Sequence, residues 1–78
     1  MSENILIYRT IGEYVRICRL GLKKGQEDIA KAVGVSRATI GAIEHDTQDS
    51  SFGVILKIMR YLEKHGAPAV DLSRLTLK

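Results

Sequence analysis

Nineteen consecutive residues, Gln26 to Glu44 (QEDIAKAVGVSRATIGAIE), constrain this chain more than any other stretch. They read as two short helices joined by a sharp turn. Ile29, Ala30 and Val33 give the first helix a small apolar stripe at i, i+1 and i+4. Gly34 is placed to end it, because the residue just past a helix often needs a positive φ that glycine adopts without strain. Ser36 can cap the second helix by accepting a bond from a free backbone N–H. Ile40 and Ile43 then face inward at i and i+3. Ala30 is small where the second helix has to cross the first, as in helix pairs joined at roughly 90–120°.

Counted from Gln26, alanine falls fifth, glycine ninth, and isoleucine fifteenth and eighteenth. That order resembles the helix-turn-helix of phage-repressor-type (Xre-like) DNA-binding proteins. The flanks agree with it: IGEYVRICR is similar to the family's first helix and SFGVILKIMRYL to its fourth. The resemblance runs without gaps from about Ile11 to Leu62. It implies an all-α, compact four- to five-helix repressor-like domain. Lys23-Lys24-Gly25 departs from the pattern, which usually has glycine, an aliphatic residue and then serine or threonine before the glutamine. Here glycine takes the N-cap, at a loss of about a few tenths of a kcal/mol relative to serine. Glu27 and Asp28 in the following turn suit the helix dipole.

The rest of the chain divides around this motif. Residues 1–9, with the apolar run ILIY, read as a tail or short strand, and residues 10–66 as the helix-turn-helix DNA-binding domain that the resemblance implies. Thr10 and Glu13 have capping-box spacing and open helix 1. Ile11, Val15, Cys18 and Leu22 make its apolar stripe, with Ile17 and Leu20 off it. HDTQDS (His45 to Ser50) reads as a polar loop, with Ser50 or Ser51 capping the next helix. There Phe52, Ile55, Leu56, Met59 and Leu62 are expected to face the core. Val54, Ile58 and Tyr61 make a second stripe. Gly66 and Pro68 stop the helix. Residues 67–78 alternate in part, so a short C-terminal strand used in dimerisation is expected.

A chain of 78 residues is one domain near the lower size limit for folding alone, so a second copy would add useful burial. Twelve Lys and Arg against nine Asp and Glu give a net charge of +3, which permits nucleic-acid binding without demanding it. Cys18 is the single cysteine, so no intrachain disulfide or thiolate metal cluster can form, and it reads as a small core residue. No apolar run approaches the ~20 residues of a membrane span, and the start lacks the features of a secretory signal. A cytoplasmic protein is expected. His45 and His65 stand apart, without metal-ligand spacing, and no phosphate loop or nucleophile motif is visible. No enzyme, cofactor or metal is expected.

The resemblance assigns roles to particular side chains. Arg37, Ala38 and Ala42, with Gly41, are the outward positions of the second motif helix, where base edges of the major groove would be met. Arg37 is the one long donor, suited to the O6 and N7 of guanine. Gln26, Ser36 and Thr39, then Thr47 and Gln48, correspond to contacts with phosphates, with Lys23, Lys24 and Lys31 adding charge nearby. Arg19 and Glu44 correspond to an ion pair joining helix 1 to helix 3. Val54, Ile58 and Tyr61, with Val70 and Leu72 of the tail, form the expected dimer surface. Each polar residue has a plainer role as a cap or solvated surface.

The expected function is a sequence-specific transcriptional regulator, a dimeric autorepressor on double-stranded DNA. One alternative is the antitoxin of a toxin–antitoxin pair, binding both DNA and a toxin. Another is a helical protein-interaction module without DNA binding.

Overall fold

The computed structural model describes residues 10–46 and 52–68. They form four helices: α1 (Ile11–Gly21), α2 (Gln26–Val33), α3 (Arg37–Glu44) and α4 (Phe52–Lys64). The fold is all-α, with no strand element among the described residues. The expected strands at residues 1–9 and 67–78, and the caps Ser50 and Ser51, lie wholly or largely outside that region.

Thr10 starts α1: its hydroxyl accepts from the Glu13 N–H at 3.0 Å and donates to Asp46 Oδ2 at 3.0 Å. One side chain thus satisfies an orphan donor of α1 and ties that end to the end of α3. Ile11, Val15 and Cys18 are buried as their spacing predicts, and Leu22 packs against them half-buried. Tyr14, absent from the expected stripe, is fully buried, and its hydroxyl donates to the Pro68 carbonyl at 2.9 Å. That bond lets a phenol occupy an apolar core and holds the end of the described chain against α1.

On α4 the expected stripes are corrected. Ile55, Ile58, Met59 and Leu62 are buried, the i, i+3, i+4, i+7 set of a single core-facing stripe. Phe52 is 57% exposed and Leu56 half-exposed, so neither is core. Ile58 is fully buried against its own domain and is withdrawn from the dimer surface. These residues close over Ile29, Ala30 and Val33 of α2 and Ile40 and Ile43 of α3 in one hydrophobic core.

Each of the four helices is followed by a residue in left-handed conformation: Lys23 (φ 60°), Gly34 (φ 83°), Asp46 (φ 56°) and Gly66 (φ 116°). After α1 the Lys24 N–H reaches the Arg19 carbonyl and the Lys23 N–H reaches that of Leu20, each at 3.1 Å. These paired reversed bonds define a Schellman stop, which lets chain direction change within two residues. The unusual Lys23-Lys24-Gly25 loop is therefore a regular helix end, with lysine where glycine is commonest. Gly25 N-caps α2, and its N–H donates to Asp28 Oδ2 at 2.7 Å.

Candidate nucleic-acid interface

The turn between α2 and α3 is held from both sides. At Gly34 the chain turns left-handed, and the N–H groups of Gly34 and Val35 both reach the Ala30 carbonyl, at 2.9 and 3.0 Å. Val35 drops half-buried onto the core. Ser36 then caps α3, its hydroxyl accepting from the Thr39 N–H at 3.1 Å and bonding the Thr39 hydroxyl at 2.9 Å. Burial of Ile40, Ile43 and Glu44 turns the opposite side of α3 outward. Arg37 and Ala38 are exposed there, while Gly41 and Ala42 are half-buried.

Beneath that surface lies a chain of polar bonds across three helices. Glu44 is the one buried charged residue among the described residues. Its carboxylate accepts from Arg19 Nε at 2.6 Å, Arg19 Nη2 at 3.0 Å and Gln26 Nε2 at 3.0 Å. A buried carboxylate with three donors avoids most of the penalty of an unpaired charge. The Arg19 guanidinium also donates through Nη1 to the Lys24 carbonyl at 3.1 Å, bracing the α1–α2 loop. Hydrogen bonding to Glu44, supported by its charge and opposed by burial, raises the pKa of Arg19 above its ordinary value.

Gln26 carries the network to the surface. Its Nε2 faces Glu44, and its Oε1 accepts from Arg37 Nη1 at 2.8 Å. The amide has one workable orientation, since a flip would set oxygen against carboxylate and NH₂ against guanidinium. Arg37 is thereby held at the start of α3, and the second Nε2 hydrogen of Gln26 remains for another acceptor. Thr47, Gln48, Val70 and Leu72 lie outside the described residues. Sequence reading did not foresee the Gln26–Arg37 bond, for which the only signal is a long donor eleven positions after a helix-opening glutamine.

A family model for helix-turn-helix proteins of the Xre and phage-repressor type matches residues 15–67. The chain belongs to this helix-turn-helix family. It is accordingly a DNA-binding regulator that takes double-stranded DNA as its partner, in a family that is not typically enzymatic. Neither a curated relative nor a solved structure matches the chain. Within the helix-turn-helix, α3 is the helix that follows the turn. No helix among the described residues is long and apolar enough to cross a membrane.

Proposed function

We propose that this domain is a sequence-specific repressor that lays α3 in the major groove, with Arg37 on a base edge and Ala38 and Ala42 against the same groove. The observation that carries this reading is the bonded series from buried Glu44 through Gln26 to Arg37, which presents a guanidinium at the exposed start of α3. A pre-placed planar donor loses less freedom on binding than a free arginine, and it matches the paired acceptors of guanine. Gln26, Ser36 and Thr39, at the starts of α2 and α3, are assigned to flanking phosphates, where free N–H groups and the helix dipole favour an anion. Thr47 and Gln48 extend that set. With a single strong reading residue, part of the selectivity is assigned to DNA shape.

Repression by occupying a promoter, in the cytoplasm and as a dimer, completes the proposal. Two copies would place their α3 helices about one helical turn (~34 Å) apart on a near-palindromic site. With Ile58 buried, the surface proposed for a second copy keeps half-buried Val54 and Tyr61 and gains Phe52 with Leu56, at i and i+4 on α4. Phe52→Ser is expected to lower self-association in light scattering while leaving the melting temperature close to wild type.

The deciding experiment titrates the protein against duplex DNA from just upstream of its own gene, with an unrelated duplex as control, across a salt series. Preference for the upstream duplex, an affinity falling steeply with salt, and loss of the preference in Arg37→Ala support the reading. Equal weak binding to both duplexes, unchanged in Arg37→Ala, would overturn it.

A further inference from the structure

We propose that the groove between the end of α2 and the outer side of α4 docks an acidic peptide segment of a partner protein. The recess, of about 390 Å³, is lined by Ala32, Val33 and Tyr61 together with the three cations Lys57, Arg60 and Lys64. His65 also lines it, its ring 4.3 Å from that of Tyr61. A small apolar recess under a row of three cations fits a peptide that offers an apolar side chain flanked by carboxylates.

The cations are not explained by the fold. Lys57, Arg60 and Lys64 are exposed at i, i+3 and i+7, a spacing at which like charges repel and weaken the helix. The α4 dipole accounts for Lys64 in the last turn, but not for Lys57 and Arg60 before it. Among the described residues, none of the three is ion-paired with a carboxylate, and Glu63, the one acidic residue of α4, does not line the groove. A partner's carboxylates would remove that repulsion and form charge-assisted bonds.

The groove is separate from the proposed DNA surface. None of the residues assigned to DNA (Gln26, Ser36, Arg37, Ala38, Thr39 and Ala42) lines the groove, although Ser36 follows Val33 by three positions. A duplex backbone would satisfy the cations but gain nothing from Tyr61, Val33 and Ala32, and it is too wide to enter a side-chain-sized recess. A peptide uses both halves of the groove, so DNA and partner can be held at once.

The test follows backbone amide shifts of the full chain at physiological salt, titrated with a synthetic octapeptide of alternating Glu and Leu. A Ser-for-Leu version, a Lys–Leu peptide and the upstream duplex serve as comparisons. The shifts are expected at Ala32, Val33, Tyr61, Lys64 and His65, with none from the Lys–Leu peptide. Lys57→Gln combined with Arg60→Gln is expected to weaken the Glu–Leu peptide about tenfold, with the melting temperature kept and DNA affinity within about threefold. The Ser-for-Leu peptide should bind several-fold more weakly. Shifts scattered away from the groove, or peptide affinity unchanged in the double variant, would overturn the proposal. So would a loss of DNA affinity as large as the loss of peptide affinity, which would assign these cations to phosphates.

Discussion

Arg37 and Gln26 are joined by a 2.8 Å bond from a guanidinium N–H to the amide oxygen. The same amide donates to buried Glu44, so the surface arginine is referenced to the core through one side chain. Gln26→Ala should therefore act on two readouts. Removing one of three donors to Glu44 is expected to lower stability by about 1 kcal/mol, and freeing Arg37 to lower DNA affinity roughly tenfold. Gln26→Glu should be worse on both, because it sets a second carboxylate against Glu44 and against phosphate. Thermal melts paired with DNA titrations check this; unchanged affinity in Gln26→Ala would show that Arg37 needs no bracing.

The Arg19–Glu44 pair is a stronger determinant of stability than an exposed ion pair, because the Glu44 side chain is 1% exposed and that of Arg19 only 13%. Losing Arg19 strands a buried carboxylate. Arg19→Ala is expected to lower stability by about 3 kcal/mol or more, which for a domain of this size is roughly 15 °C in melting temperature. Arg19→Lys should recover only part, since an ammonium cannot make the paired bond and also reach the Lys24 carbonyl.

The pH dependence of that loss follows from the direction of the Arg19 shift. A raised folded-state pKa makes the stabilisation complete below the unfolded value, and it fades only as pH climbs through the higher folded one. An arginine already titrates above any ordinary working pH, so on its account the stability gap between wild type and Arg19→Ala should stay flat from about pH 7 to 10. Urea melts across that range check it, and a gap that closed by pH 9 would be inconsistent with a guanidinium held in its charged form.

The two non-glycine helix stops should respond differently to glycine. Lys23 adopts φ 60° with its side chain exposed, so Lys23→Gly is expected to raise stability by about 1 kcal/mol. Asp46 adopts φ 56°, but it also accepts the Thr10 hydroxyl. Asp46→Gly relieves backbone strain and loses that bond, so a change near zero or a small loss is expected. Denaturant melts of both variants separate the effects.

How much of this could be read from the sequence depends on the range of each interaction. The caps at Thr10 and Ser36, the turn at Gly34 and the stripe through Ile55, Met59 and Leu62 depend on residues within about one or two turns, so spacing exposes them. Arg19 and Glu44 are 25 positions apart, and only the family resemblance brings them together. Phe52 satisfied helical periodicity yet stands exposed, because periodicity gives an angle around α4 but not how far the neighbouring helices extend along it. Ile58 departs in the opposite sense: the two overlapping stripes in the sequence correspond to one broad buried face through Ile55, Ile58, Met59 and Leu62. Tyr14 was hidden because its polar tip is satisfied by Pro68, 54 positions away.

Gly12 is the least legible of these positions and gives the sharpest prediction. A glycine in the first turn of a helix carries no obvious signal, yet it lies where α1 crosses the end of α3. A Cβ there would stand 2.2 Å from the Ile43 carbonyl oxygen and 2.6 Å from an Asp46 carboxylate oxygen. The Asp46 side chain could rotate away at the expense of its bond to Thr10, but the Ile43 backbone cannot yield without moving α3. Gly12→Ala improves intrinsic helix propensity by about 1 kcal/mol, and overpacking against backbone, which costs about 1–3 kcal/mol and sits at the upper end for so short a contact, should outweigh that gain. The net loss should be accompanied by weaker DNA binding, because displacing α3 also displaces Arg37. Circular-dichroism melts with DNA titrations decide it. A Gly12→Ala protein more stable than wild type would mean that α1 and α3 cross less closely than this packing requires.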